Sequence, residues 1–296
     1  MKKIIGIVGL IALIGSVQGQ TSLERTFEGI EEIKFSISSG DISFEKSKDN
    51  SVYLSMRSDE SGYEPKIEKV GDRLIIKDEN RSGRWSNRGG SYWTFSVPDN
   101  LELDFNTGSG DLEMEGLTAE FKANTGSGSY RFDSVNGEFK LNTGSGDFEV
   151  NEAKGEFRVN TGSGDVDIRN CEIAIDANTG SGEIGAKSLV LAGPSGFNSG
   201  SGDVEIELAK ALDHDISLNS GSGDSRLDFN GAQIEGEVVM KVNKNRGRIR
   251  APFEFDTEEE IENGRNNVIL KKTAKIGKKD ILIRIGSGSG TAEITE

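Results

Sequence analysis

Between Leu101 and Phe229 apolar and polar residues alternate in short runs, and glycine-rich breaks interrupt the alternation at a fixed interval. In one copy Glu120-Phe121-Lys122-Ala123-Asn124-Thr125 alternates, Gly126-Ser127-Gly128 breaks the pattern, and Tyr130 and Phe132 resume it. A period of two sends successive side chains to opposite faces of a strand. Each copy therefore holds two short strands, one on either side of the Gly-Ser-Gly turn, with a second turn near Val135-Asn136-Gly137. Thr107, Thr125, Thr143, Thr161 and Thr179 recur at one constant interval, and Ser199 and Ser220 continue the series at slightly longer steps.

Aligned on that period, the apolar positions form columns. Before the turn these are Leu103, Phe121, Phe139, Phe157 and Ile175, then Phe105, Ala123, Leu141, Val159 and Ala177. After it come Leu112, Tyr130, Phe148, Val166, Ile184 and Val204, then Met114, Phe132, Val150, Ile168, Ala186 and Ile206. The positions between them, such as Glu113, Arg131, Glu149 and Asp167, face water. One copy cannot bury its apolar side alone, but a stack of copies encloses a continuous interior. The expected fold is all-β: a single-stranded parallel β-solenoid (β-helix) of about 18 residues and two short strands per coil, with right-handed connections. Seven such coils would span ~34 Å at the strand spacing of a sheet.

The motif residues have structural readings of their own. The Gly-Ser-Gly corner is expected to need positive φ, which glycine adopts freely. Asn106, Asn124, Asn142, Asn160, Asn178, Asn198 and Asn219 recur in every copy and suit an amide ladder along the stack. Asp111, Asp147, Asp165, Asp203 and Asp224 follow the corner and read as a solvated edge, with Ser129 and Glu183 in their place elsewhere.

The chain divides into four parts. Residues 1–19 have a secretory-signal layout: Lys2 and Lys3, an apolar run from Ile4 to Ile14, then small and polar residues, with cleavage expected after Gly19. The run is shorter than the ~20 residues of a membrane-spanning helix, so no transmembrane segment is expected after cleavage. Residues 20–100 read as N-terminal coils with an irregular cap, in which Phe35, Ile37, Ile42 and Phe44 alternate around Ser39-Gly40-Asp41; Val52–Met56, Arg73–Ile76 and Thr94–Val97 are strand-like. Residues 101–231 are the regular repeat. Residues 232–296 read as C-terminal coils and cap, with Ala251 to Gly264 as a loop or capping insertion and the corner pattern returning at Gly286–Gly290.

Composition narrows the function. Cys171 is the only cysteine, so export has not been used to build a disulfide framework. The net charge of −15 is concentrated in residues 101–240, which hold 9 basic and 26 acidic groups. A field of that sign disfavours nucleic acid and anionic lipid as partners.

Several features carry a resemblance together: Phe27 and Ile30, the Ser39-Gly40-Asp41-Ile42 coil, Val97-Pro98 leading into Asn106 to Asp111, and the closing Gly-Ser-Gly tail. In these the chain resembles the bacterial family of β-strand-repeat proposed adhesins, a domain of unknown function. The resemblance covers nearly the whole chain after residue 19 and implies a β-solenoid fold. It brings no catalytic or binding residues with it.

Candidate chemistry is sparse. Asp165 and Asp167 lie two apart on one outward strand face, as an acid and base pair of a β-helical carbohydrate-active enzyme would. Stacked carboxylates suggest a calcium-stabilised extracellular module, although the Asp follows glycine directly and recurs once per coil rather than in the nonapeptide register of calcium β-rolls. His214 has no metal-ligand pattern around it. The clearest contact candidates are Arg81, Arg84, Trp85, Arg88, Tyr92 and Trp93, on a Gly/Ser-rich segment holding both tryptophans. The expectation is a non-enzymatic envelope module in the periplasm or at the cell surface, monomeric or weakly self-associating. It needs no cofactor or metal, and its partner is an envelope protein or glycan.

Overall fold

The computed structural model describes residues 13–17, 20–60, 62–78, 90–262, 264 and 268–296, and in it the alternating runs are strands. Two parallel ladders carry the repeat. One contains Leu101–Ser109, Thr118–Thr125, Asn136–Thr143, Lys154–Thr161, Glu172–Thr179, Ser195–Ser199 and Ile216–Ser220. The other contains Leu112–Glu115, Tyr130–Asp133, Phe148–Asn151, Val166–Arg169, Ile184–Leu191, Val204–Leu208 and Ser225–Asp228. In the regular part neighbouring strands pair one repeat apart, so Phe121 faces Phe139, which faces Phe157, and Tyr130 faces Phe148. The chain is all-β, a long and mostly parallel sheet of short strands consistent with a solenoid-like repeat. A corner joins one strand of each ladder into a rung. Ile184–Leu191 runs in both ladders, pairing with Val204–Leu208 in one and with Glu172 and Ile173 in the other, after a bulge between Ala186 and Leu189. The period lengthens from this point.

Every apolar column lies in the interior. Phe121, Phe132, Phe139, Phe148 and Phe157 are each at most 1% exposed, and the Phe139 and Phe157 rings stack at 4.5 Å between centroids. Each such pair adds about 1 kcal/mol beyond the burial itself. A further buried column, absent from the sequence reading, follows the second turn: Leu117, Val135, Ala153, Cys171 and Leu189. Cys171 Sγ accepts the Ala153 N–H at 3.4 Å, and burial pushes its thiol up.

Tyr130 occupies a column otherwise filled by hydrocarbon, and its hydroxyl donates to the Asn142 carbonyl at 2.8 Å. Burial pushes the phenol well above its ordinary value. The unfolded chain ionises this group near pH 10 while the native state resists, so the stability it contributes is complete below that pH and is lost above it. Melting temperature should therefore fall more steeply above about pH 10 in the wild type than in Tyr130→Phe, a comparison that circular dichroism melts can make.

Positive φ belongs to the second turn rather than to the Gly-Ser-Gly corner. Gly116, Ser134, Glu152, Asn170 and Ser188 occupy the same place in successive copies, with φ between 54° and 68°. In the regular copies only Gly110 among the corner glycines has positive φ. The others are required by contact between rungs: a Cβ on Gly146 would lie 1.9 Å from the Gly128 carbonyl oxygen. Left-handed backbone disfavours a residue such as Glu152 by about 1 kcal/mol. Glu152→Gly is expected to recover most of that, read as a higher urea midpoint.

Both ends exchange the order of their rungs. Glu32–Ser39 and Asp41–Lys46 stack directly on Leu101–Ser109 and Leu112–Glu115, pairing Ile42 with Leu112 although the two are distant in sequence. Arg73–Lys77 and Ser91–Val97, which lie between them in the chain, form the rung outside. At the other end Leu282–Ser287 and Thr291–Thr295 stack on Ile216–Ser220 and Ser225–Asp228, and the earlier Gly236–Asn243 and Arg248–Arg250 lie outside. The expected loop after Ala251 contains a strand, Thr257–Glu262, antiparallel to Val268–Ile276. Its acidic residues guard an exposed edge, and Lys272 and Lys271 pair with Glu258 and Glu259 at 2.9 and 3.2 Å.

The N-terminal end is completed by antiparallel strands: Ser51–Ser58 pairs with Ser91–Val97 and with Gln20–Glu28, which pairs in turn with Leu13–Val17. The rest of the expected signal segment, residues 1–12 and 18–19, lies outside the described residues. No helix among the described residues is long and apolar enough to cross a membrane.

Candidate functional site

The conspicuous motif is engaged in holding rungs together. Each Asn from Asn124 to Asn219 donates Nδ2–H to the Oδ1 of the Asn one rung before it, at 2.9 to 3.2 Å. The expected amide ladder is present. Thr143, Thr161 and Thr179 each donate Oγ1–H to a corner carbonyl of the preceding rung and accept a glycine N–H of their own. The Asp column is more than a solvated edge. Asp111 Oδ1 accepts the Ser129 N–H, Asp147 that of Asp165, and Asp165 that of Glu183, at 2.8 to 2.9 Å. Asp203 and Asp224 do the same for the next rungs.

The outward strand faces carry ion pairs between rungs. Arg131 bridges Glu113 at 3.0 Å and Glu149 at 3.1 Å, and its guanidinium is held above its ordinary value by those carboxylates. Asp167, considered above with Asp165 as an acid and base pair, is bonded to Arg169. An open depression of about 410 Å³ lies over Gly185, between Asp167 and Glu205. Its lining mixes Lys187, Arg169 and Arg226 with carboxylates, and Arg226 is bonded to Asp228 at 3.3 Å. Among the described residues no group of three or more His, Cys, Asp or Glu side chains is placed to hold a metal ion.

Of the contact candidates, Arg81, Arg84, Trp85 and Arg88 lie outside the described residues. Trp93 is corrected to a core residue: it is 1% exposed, packs edge-on to Phe35 at 5.0 Å, and donates Nε1–H to Ser91 Oγ at 3.0 Å. The alternation of Ser91–Val97 sends Trp93, Phe95 and Val97 inward and leaves Tyr92 outside, 42% exposed. The Arg57 guanidinium lies 5.0 Å from the Tyr92 ring centroid.

The outer face around Tyr92 contains residues that the sequence reading passed over. On the neighbouring strand Tyr53 is 40% exposed, and its hydroxyl donates to Asp49 Oδ2 at 2.6 Å. That bond holds the Asp49 carboxyl below its usual range and the Tyr53 phenol above its own. Between the two rings Ser55 stands opposite Thr94, and Thr94 opposite Ser43, whose Oγ donates to Thr94 Oγ1 at 3.2 Å. Elsewhere the outward positions are mostly charged. The signal was available in Ser51–Ser58, whose outward residues begin Tyr53 and Ser55 where the regular repeat has acids and bases.

No curated protein matches this chain. Among solved structures it is similar to a protein from Clostridium sporogenes, described as proposed to act in cell adhesion, at 16% identity. The match covers 93% of this chain and 99% of that one with a TM-score of 0.26. A family model described as Toastrack DUF4097 matches residues 30–252, which is most of the sequence, and the chain belongs to that family.

Proposed function

We propose that this chain is a non-enzymatic, exported, right-handed β-solenoid of 18-residue coils, working as a structural or adhesin-like interaction module of the bacterial envelope. One observation carries the reading: the repeated Asn, Thr and Asp side chains bond to the next rung, which leaves the outward strand faces as the surface offered to a partner. A rigid array of flat faces suits contact with an extended surface better than turnover of a small substrate, for which convergent groups in an enclosing pocket would be needed. The acidic middle of the chain fits solubility outside the cell and disfavours polyanions as partners. Cleavage after Gly19 would remove Leu13–Val17 and leave Gln20–Glu28 as the edge strand.

Fractionation of cells producing the tagged chain tests the proposal, together with binding of the purified protein to envelope fragments. The expected result is a shortened protein in the periplasm or at the surface that sediments with envelope fragments. An unprocessed cytoplasmic protein with no affinity for them would overturn it.

A further inference from the structure

We propose that the outer face formed by Ser51–Ser58 and Ser91–Val97 binds a neutral polysaccharide chain, with Tyr53 and Tyr92 as its two stacking platforms. The inference rests on the envelope-module reading and names the class of its ligand.

Three observations converge on this face. Among the described residues four large apolar or aromatic side chains are exposed, Tyr53, Val70, Tyr92 and Ile261, and the two tyrosines are on adjacent strands of one sheet face. They form no contiguous apolar patch, but this is the one face among the described residues on which two aromatic rings are exposed together. Both rings are also fixed in place. Tyr53 is tethered through its hydroxyl to Asp49, and Tyr92 lies against the Arg57 guanidinium, 5.0 Å from its ring centroid. A ring already held loses little freedom when a ligand stacks on it.

The two paired residues in the strip between the rings, Ser55 and Thr94, are uncharged in a chain of net charge −15. With Ser43 they present three hydroxyls, flanked by charges of both signs: Glu24 beside Ser55, Asp41 and Arg57 beside Tyr92, and Glu45 bonded to Ser96 opposite Tyr53. Ser55 Oγ has no hydrogen-bond partner among the described residues, and Thr94 Oγ1, which accepts from Ser43, can still donate its own proton. Carbohydrates present the matching chemistry: C–H faces that pack on aromatic rings, and a periphery of hydroxyls that both donate and accept. An anionic polymer would meet Glu24, Asp41 and Glu45, and a cationic one would meet the Arg57 guanidinium against the Tyr92 ring. A neutral chain suits the whole strip.

Length selects a polymer over a single sugar. Tyr53 stands opposite Ser96 and Tyr92 opposite Arg57, so the rings are four positions apart along the strands, ~14 Å. One pyranose cannot reach both, whereas an extended oligosaccharide lying along the strands can.

Affinity electrophoresis of the purified full chain tests the assignment, with hydroxyethyl cellulose, dextran, laminarin and soluble starch in the gel and alginate as the anionic control. At least one neutral polymer is expected to retard the wild type. Tyr53→Ala and Tyr92→Ala should each weaken that binding about fivefold or more, since buried aromatic anchors dominate contact energies. The double variant should migrate as in a gel without polymer. Ser55→Glu, which leaves both rings in place, should also weaken binding by charging the strip. All three positions face outward, so melting curves should stay unchanged and identify any variant that loses its fold.

No retardation by any of the four polymers overturns the proposal, as does equal retardation of wild type and double variant, or tighter binding to alginate. Envelope binding that survives both the double substitution and periodate oxidation of the envelope glycans removes the sugar assignment and leaves the module reading intact. A cytoplasmic location does the reverse.

Discussion

Gly146→Ala is expected to destabilise the protein by about 3 kcal/mol or more, a large fraction of the roughly 5–15 kcal/mol typical of folded domains. The added methyl would stand 1.9 Å from the Gly128 carbonyl oxygen and 2.8 Å from the Ser129 nitrogen, both backbone atoms of the neighbouring rung. No rotamer change relieves that contact. The rungs would have to separate, and parting them there lengthens the bonds of Thr143 and Asn142 as well. Gly185 is the comparison within the same molecule. A Cβ there meets nothing within 4 Å, and its φ lies outside the left-handed range. Gly185→Ala should therefore be neutral or stabilise by about 0.5 kcal/mol through the lower entropy of the unfolded chain. Urea titrations should show a lower midpoint for Gly146→Ala and an unchanged or higher one for Gly185→Ala. A Gly146→Ala midpoint equal to that of the wild type would contradict the close approach of successive corners.

Thr161→Val should destabilise by about 2–3 kcal/mol with little change in shape. Thr161 is 6% exposed, and its Oγ1 both donates to the Gly146 carbonyl and accepts the Gly164 N–H, each at 3.0 Å. Valine keeps the branch and volume but leaves a buried donor and a buried acceptor without partners, which disfavours the native state more than the average hydrogen bond favours it. Thr161→Ser should lose far less. Ser199 and Ser220 already make the same pair of bonds at 2.8 Å in their own rungs. If Val and Ser variants melt together, the hydroxyl contributes nothing and the loss is one of packing.

The regular part of the fold was legible because both of its signals are local. Alternation fixes which side of a strand faces inward, and the constant period fixes the register, so Phe121, Phe139 and Phe157 could be aligned before any coordinates. The reason for the corner glycines was less accessible. Positive φ is a property of one residue and comes first to mind, whereas the actual constraint is a carbonyl one full repeat away in the chain. The ends were legible in kind but not in order. Ser39-Gly40-Asp41 could be recognised as a corner, yet nothing within it says that its neighbour is Gly110.

The candidate site divides in the same way. Tyr92 and Trp93 are adjacent in a segment that looks uniformly adhesive, and only the strand phase separates a surface ring from a core ring. That phase could have been read from Trp93, Phe95 and Val97. Tyr53 could not be joined to Tyr92 from sequence, because the antiparallel pairing that sets them on one face joins segments well separated in the chain.

The exchanged order of the terminal rungs separates two properties that a simple stack would tie together. In a stack wound in sequence order, the last turn is held on one side only and can peel away, so size and stability rise and fall with the number of turns. Here the inner end rungs are gripped on both sides, and the pairs Ile283 with Ile216 and Ile42 with Leu112 each join segments distant in sequence. The two ends act as closed clasps, indifferent to how many layers lie between them. Duplicating or removing one repeat in the middle would then change the reach of the molecule while leaving its terminal surfaces, including the tyrosine face, as they are.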